Sequence, residues 1–225
     1  MESAFDAALV NRLVEGLASA HQGFLEQLTG LTDEMVSRAS NLPNWSVGHV
    51  LAHVTQQGDS LTRLFLAAES GAVVDQYEGG LSARIDAIER DADRSAMVQV
   101  SDLRRSIYAL EGAMASARQG WFGSARMVSG IEIKITELPL RRWREVEVHR
   151  GDLGLSELGC DGFDSWSLDY VRHDLPNMTM QWKSRGSMGL TDLPAQIRTQ
   201  SPSKRLAWLM GRLDIEGLGA AELMG

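Results

Sequence analysis

The sequence predicts a mainly α-helical protein: a four-helix bundle with a small β element before its fourth helix, followed by a short C-terminal region. Three observations lead there. Apolar residues recur at three- and four-residue spacing through most of the first two thirds of the chain. The 225 residues are 44% hydrophobic and 23% charged, enough to fill one core. Period-two alternation is confined to one short stretch before the last long helix.

The first helix is expected over 4–29, with Phe5, Ala8, Leu9, Leu13, Leu17, Ala20, Phe24 and Leu28 along its apolar face. Thr32, with Glu34 close behind, suits the start of a short helical turn. The run Asn41-Leu-Pro-Asn-Trp-Ser breaks the chain, and Ser46 is placed to cap a second long helix reaching about Glu69. That helix turns Val47, Val50, Leu51, Val54, Leu61, Leu64 and Phe65 inward. A loop over 71–80 ends in Gly-Gly, and helical spacing returns over 81–119 with an interruption near 91–95. Ile131-Glu-Ile-Lys-Ile-Thr alternates as a short strand or hairpin. A fourth helix starts at Leu138 with Pro139 in its first turn and ends around 151–154. Beyond it, helical patterns cover 166–183, with the unfavourable Pro176 inside, and 202–212. The expected division is a bundle domain over 1–155 and a small C-terminal domain over 156–225.

Charge and composition exclude several functions. Lys and Arg number 22 against 30 Asp and Glu, a net charge of −8, so no basic stripe for nucleic acid is expected. No apolar run reaches the roughly 18 residues of a membrane span. Glu2 and Asp6 replace the basic start of a secretory signal, and a single cysteine permits no internal disulfide. A cytoplasmic location is the expectation. Cys160 sits among acidic residues, which raises a thiol pKa and disfavours a nucleophilic thiolate. The six tryptophans and the Met-rich 178–188 segment read as core or pocket wall.

The five histidines carry more. His49 and His53 share one face of the second long helix, and Glu145 and His149 share one face of the fourth. Imidazoles from one helix and a carboxylate and imidazole from the other could make an open three-ligand metal site, as bundles build them. Spacing alone also allows a surface Glu–His pair worth a few tenths of a kcal/mol, with His49 or His53 as a core histidine on a backbone carbonyl.

The local words go further. Asn44-Trp-Ser-Val-Gly-His-Val-Leu-Ala-His-Val and Arg142-Trp-Arg-Glu-Val-Glu-Val-His-Arg-Gly-Asp-Leu-Gly resemble two segments of the mycothiol-dependent maleylpyruvate isomerase family, part of the DinB-like group of four-helix metalloproteins. The resemblance covers about 1–155. It implies that His53, Glu145 and His149 ligate a divalent metal, most simply Zn²⁺, with His49 left to packing or to support behind the ligands, and Asp152 orienting a ligand or marking the helix end. Leu206-Ala-Trp-Leu-Met-Gly-Arg resembles the family's C-terminal Gly-Arg segment, which makes Arg212 a candidate anchor for a substrate carboxylate, with Arg142 or Arg144 as further anchors. A helix-terminal arginine on the last carbonyls is the alternative for Arg212. The family's C-terminal region is a small α/β domain, so the resemblance implies a small mixed α/β C-terminal region after the DinB-like four-helix bundle, although strand signals after residue 155 are sparse here.

The implied activity is a cis-trans isomerisation of maleylpyruvate to fumarylpyruvate, a step of aromatic catabolism. A metal-activated low-molecular-weight thiol, mycothiol or glutathione, adds to the double bond, allows rotation and leaves. A thiol S-transferase of the same superfamily and a non-catalytic metal- or ligand-binding module are the alternatives. The expected partners are a small dicarboxylate and the thiol, with no nucleic acid and no membrane, in a monomer or homodimer.

Overall fold

The computed structural model of the chain describes residues 6–185, 190–221 and 223. Phe5 and Met188, placed in packing roles above, lie outside them. Four long helices form the bundle: α1 (Ala7–Gln27), α3 (Val47–Glu69), α5 (Ala96–Ser116) and α6 (Leu138–Asp152). Around the bundle α1 packs on α5 and α6, and α3 packs on the same two from the other side. A short α2 (Asp33–Val36) precedes α3, and α4 (Gly80–Ala92) lies along α3 outside the bundle.

Local chemistry explains the boundaries. Asp6 caps α1 by accepting from the Leu9 N–H at 2.9 Å. The helix begins at Ala7, and Leu9 is 42% exposed because Val10, Leu13, Leu17 and Phe24 take the inner face. Thr32 caps α2, and Asp33 reaches across to accept the Ala96 N–H at the start of α5, 2.7 Å away. The expected interruption falls between α4 and α5. Glycine permits one close approach: an added Cβ at Gly16 would lie 2.1 Å from the Trp143 ring, so α1 and α6 meet there with no room for a side chain.

The alternating stretch is the second half of a hairpin. β2 (Glu132–Lys134) pairs antiparallel with β1 (Ser124–Arg126), Ala125 opposite Ile133. Gly130, at φ +81°, occupies the turn between them.

After α6 come α7 (Leu168–Lys183), a short α8 (Ala195–Arg198) and α9 (Pro202–Leu209). α7 runs through Pro176 without ending there. Beyond residue 154, extended pairing among the described residues is limited to the isolated bridges Leu155–Cys160 and Ile215–Leu218, which fits the sparse strand pattern. α7 packs on α6 and α9, with Trp182 edge-on to Trp208 at 4.9 Å. The core is continuous from Leu17 and Phe24 through Trp143 and Tyr170 to Trp208. α9 ends in a Schellman turn: the Gly211 N–H donates to the Trp208 carbonyl and the Arg212 N–H to the Ala207 carbonyl. Gly211 adopts φ +68° there, which aims Arg212 back at the end of α6.

Candidate metal centre

The centre lies where the beginning of α3 meets the end of α6. The two helices run antiparallel, and the Asn41 N–H donates to the Asp152 carbonyl at 2.8 Å, pinning the segment before α3 to the end of α6. Ser46 then starts α3. Its hydroxyl accepts from the His49 N–H, while His49 Nδ1 accepts from the Ser46 N–H at 3.2 Å. This reciprocal cap occupies His49. Its other nitrogen lies 3.4 Å from Glu89, so it is turned away from the centre.

His53, one turn further along α3, faces inward. Its Nε2 lies 3.0 Å from Glu145 Oε2 and 3.0 Å from His149 Nε2. His149 Nε2 lies 3.3 Å from the same Glu145 oxygen. Neighbouring ligands in a tetrahedral shell at zinc–nitrogen distances are about 3.3 Å apart, so the three donor atoms have the mutual spacing of one face of such a shell. Among the described residues this is the one cluster of His, Cys, Asp or Glu side chains able to hold a metal ion together. The side chains of His53, His149 and Glu145 are 7%, 14% and 24% exposed, so solvent reaches the centre past the carboxylate.

The electrostatics suit a cation. Burial opposes charge on Glu145, but hydrogen bonds from His149 and His53 outweigh it and hold the carboxyl well below its ordinary range. Burial, reinforced by His149, pushes His53 down to about 4. Burial also opposes charge on His149, yet hydrogen bonds to Asp152 and Glu145 carry it up to about 9. Asp152 Oδ2 accepts from His149 Nδ1 at 2.9 Å, which directs Nε2 toward the other two donors.

Arg212 reaches this network through Asp152. Its Nε donates to Oδ1 at 2.7 Å, its Nη2 to Oδ2 at 2.9 Å, and its Nη1 to the Met210 carbonyl at 3.1 Å. The Met210 contact is that of a helix-terminal arginine on a last-turn carbonyl, while the fork expected to hold a substrate carboxylate is occupied by Asp152. The other two arginines named as carboxylate anchors are occupied elsewhere. Arg142 is fully buried, donates to the Val54 carbonyl and Gln57 at 2.7 Å each, and is pushed down to about 10 by burial. Arg144 forks onto Asp174 through two 2.7 Å bonds and ties α6 to α7.

The Trp45 ring, read as core or pocket wall, lies 5.6 Å from His53 and walls one flank. Two further neighbours escaped the sequence reading. Arg84 of α4 donates from Nη2 to His53 Nδ1 at 2.8 Å, and its guanidinium lies 5.7 Å from the centre of the Tyr77 ring. A lone Arg on an amphipathic helix and a Tyr in the preceding loop carry no spacing cue. Only the folding of α4 along α3 brings them here. Cys160 is fully buried and pushed up to about 11 by burial, so it supplies no reactive thiol. No described helix is long and apolar enough to cross a membrane.

The profile of the mycothiol maleylpyruvate isomerase N-terminal domain family matches residues 17–154. Among solved structures, the chain resembles a mycothiol-dependent maleylpyruvate isomerase with a TM-score of 0.76 at 19% identity, over 90% of this chain and 89% of that one. A histidine-to-alanine mutant of the mycothiol-dependent maleylpyruvate isomerase matches with a TM-score of 0.75, at the same identity and coverage. At that identity the likeness speaks for the fold. No curated protein matches the chain.

Proposed function

Because the chain belongs to the mycothiol maleylpyruvate isomerase N-terminal domain family, we propose that it is a metal- and thiol-dependent cis-trans isomerase acting on maleylpyruvate or a close dicarboxylate relative. The observation that carries this reading is the mutual 3.0–3.3 Å spacing of the His53, Glu145 and His149 donor atoms. Two imidazoles and a carboxylate form a donor set suited to zinc and leave part of the coordination shell open. A metal held there supplies the Lewis acidity that keeps a low-molecular-weight thiol, mycothiol by family, ionised at neutral pH.

The chain's own residues do the positioning. His53, Glu145 and His149 are the proposed ligands. Asp152 fixes the His149 ring, and Arg212 holds Asp152, so Arg212 serves the site from behind the ligands. A substrate carboxylate would have to displace Asp152 to use the Arg212 fork. Trp45 keeps water off one side of His53. The lone cysteine is buried and protonated, which supports a nucleophile brought in by a cofactor. The net reaction only turns the substance about one double bond, so the thiol is returned and atoms balance. The division into a bundle domain over 1–155 and a C-terminal domain over 156–225 belongs to this proposal, the second supplying Arg212 to the first.

The test is an assay of the zinc-loaded protein with maleylpyruvate and a generic electrophile, each with mycothiol and with glutathione. Fumarylpyruvate formed catalytically with mycothiol, and lost in His53→Ala, supports the reading. Release of a stable thiol conjugate with no isomer would instead identify an S-transferase. Turnover unaffected by omitting thiol would contradict both.

A further inference from the structure

An enzyme for a small dicarboxylate needs a cation with free donors beside its metal, and the nearby arginines are mostly committed. Arg212 has all three nitrogens engaged by Asp152 and Met210. Arg144 is forked onto Asp174, Arg142 is sealed in the core, and Arg150 is bound to Glu147. Arg84 differs. It is partly exposed, makes no ion pair among the described residues, and has a half-buried Tyr77 ring beneath it.

We propose that Arg84 binds a carboxylate of the electrophile beside the metal centre, and that it is released for this when the metal ligands are engaged. A guanidinium only donates, so His53 Nδ1 accepts from Arg84 and the ring hydrogen sits on Nε2, facing Glu145. A neutral imidazole that offers Nε2 as a ligand carries its hydrogen on Nδ1 instead. Two donors then face each other, and Arg84 must turn off the ring. It is left partly exposed, one imidazole away from the ligand atoms, with Tyr77 to stack on and no ion pair among the described residues. A planar fork in that position suits a carboxylate, where a lysine would offer only a point charge. This inference rests on the reading of His53 as a ligand and deepens the isomerase proposal by assigning its carboxylate contact to α4.

The experiment uses the zinc-loaded full chain, with maleate as a cis-dicarboxylate probe followed by calorimetry, and zinc affinity followed by chelator competition. Arg84→Met should keep one zinc, bind it at least as tightly as the unaltered protein because the metal-free ring loses its Arg84 bond, and bind maleate at least tenfold more weakly. Arg84→Lys should recover part of the maleate affinity. Equal maleate binding by Arg84→Met and the unaltered protein would overturn the proposal, as would weaker zinc binding in Arg84→Met or no maleate binding by the unaltered protein. The two readings fail separately. Maleate binding lost in Arg84→Met, alongside no turnover of maleylpyruvate, would leave the anchor standing and remove the isomerase assignment.

Discussion

Arg212 and Asp152 form a two-pronged ion pair, with Nε–Oδ1 at 2.7 Å and Nη2–Oδ2 at 2.9 Å. Arg212 follows the last helix and Asp152 ends α6, so the pair fastens the C-terminal region to the bundle one residue contact away from His149. Asp152 is nearly fully buried, and its carboxyl is held below the usual range by His149 and Arg212 although burial works the other way. The C-terminal region therefore bears directly on how His149 is held.

Asp152→Asn should lower zinc affinity by about 10- to 100-fold, the usual cost of losing a carboxylate behind a ligating imidazole. Arg212→Met should have a smaller effect of the same sign, since Asp152 keeps its bond to His149. Arg212→Lys should behave like Arg212→Met, because an ammonium cannot reproduce the two-pronged contact. Chelator competition reads all three.

The two histidines of α3 should separate cleanly. His53→Ala should lose most bound zinc. His49→Ala should keep it and instead destabilise the protein by about 1 kcal/mol through the lost cap, read as a lower urea midpoint. Equal zinc loss in both would place the ligand wrongly on α3.

Zinc affinity should rise with pH. In the metal-free protein His149 holds its proton up to about 9, His53 is neutral above about 4, and Glu145 is ionised throughout. Engaging the ligands therefore releases one proton, from His149, at neutral pH. Affinity should climb about tenfold per pH unit up to about 9 and then flatten. A pH-independent affinity between 6 and 8 would mean that His149 is not a ligand.

Gly16→Ala should destabilise the protein despite alanine's better helix propensity. The new Cβ would sit 2.1 Å from the Trp143 ring, which is 1% exposed, so the ring or the helices must shift. Overpacking of this kind costs about 1–3 kcal/mol. The denaturation midpoint measures it, with zinc content as the control that the centre survives.

Much of this was legible in the sequence, for stated reasons. The caps at Ser46 and Thr32, the break before α5 and the Pro139 start of α6 are local chemistry and fall where the residues put them. The convergence of His53 with Glu145 and His149 followed from shared helix faces once the local words singled out one histidine of α3. The helical pattern over 166–183 was legible as α7 despite Pro176 inside it. The roles of Arg142 and Arg144 depended on burial and on Asp174, which no spacing reveals. Arg84 was invisible because α4 meets the centre only through tertiary packing.

The most direct test of the account is elemental analysis of the purified, zinc-reconstituted protein beside its His53→Ala and Glu145→Ala variants. About one zinc per chain is expected in the unaltered protein and little in either variant. No bound metal in the unaltered protein, or full occupancy in both variants, would contradict the centre and every function built on it.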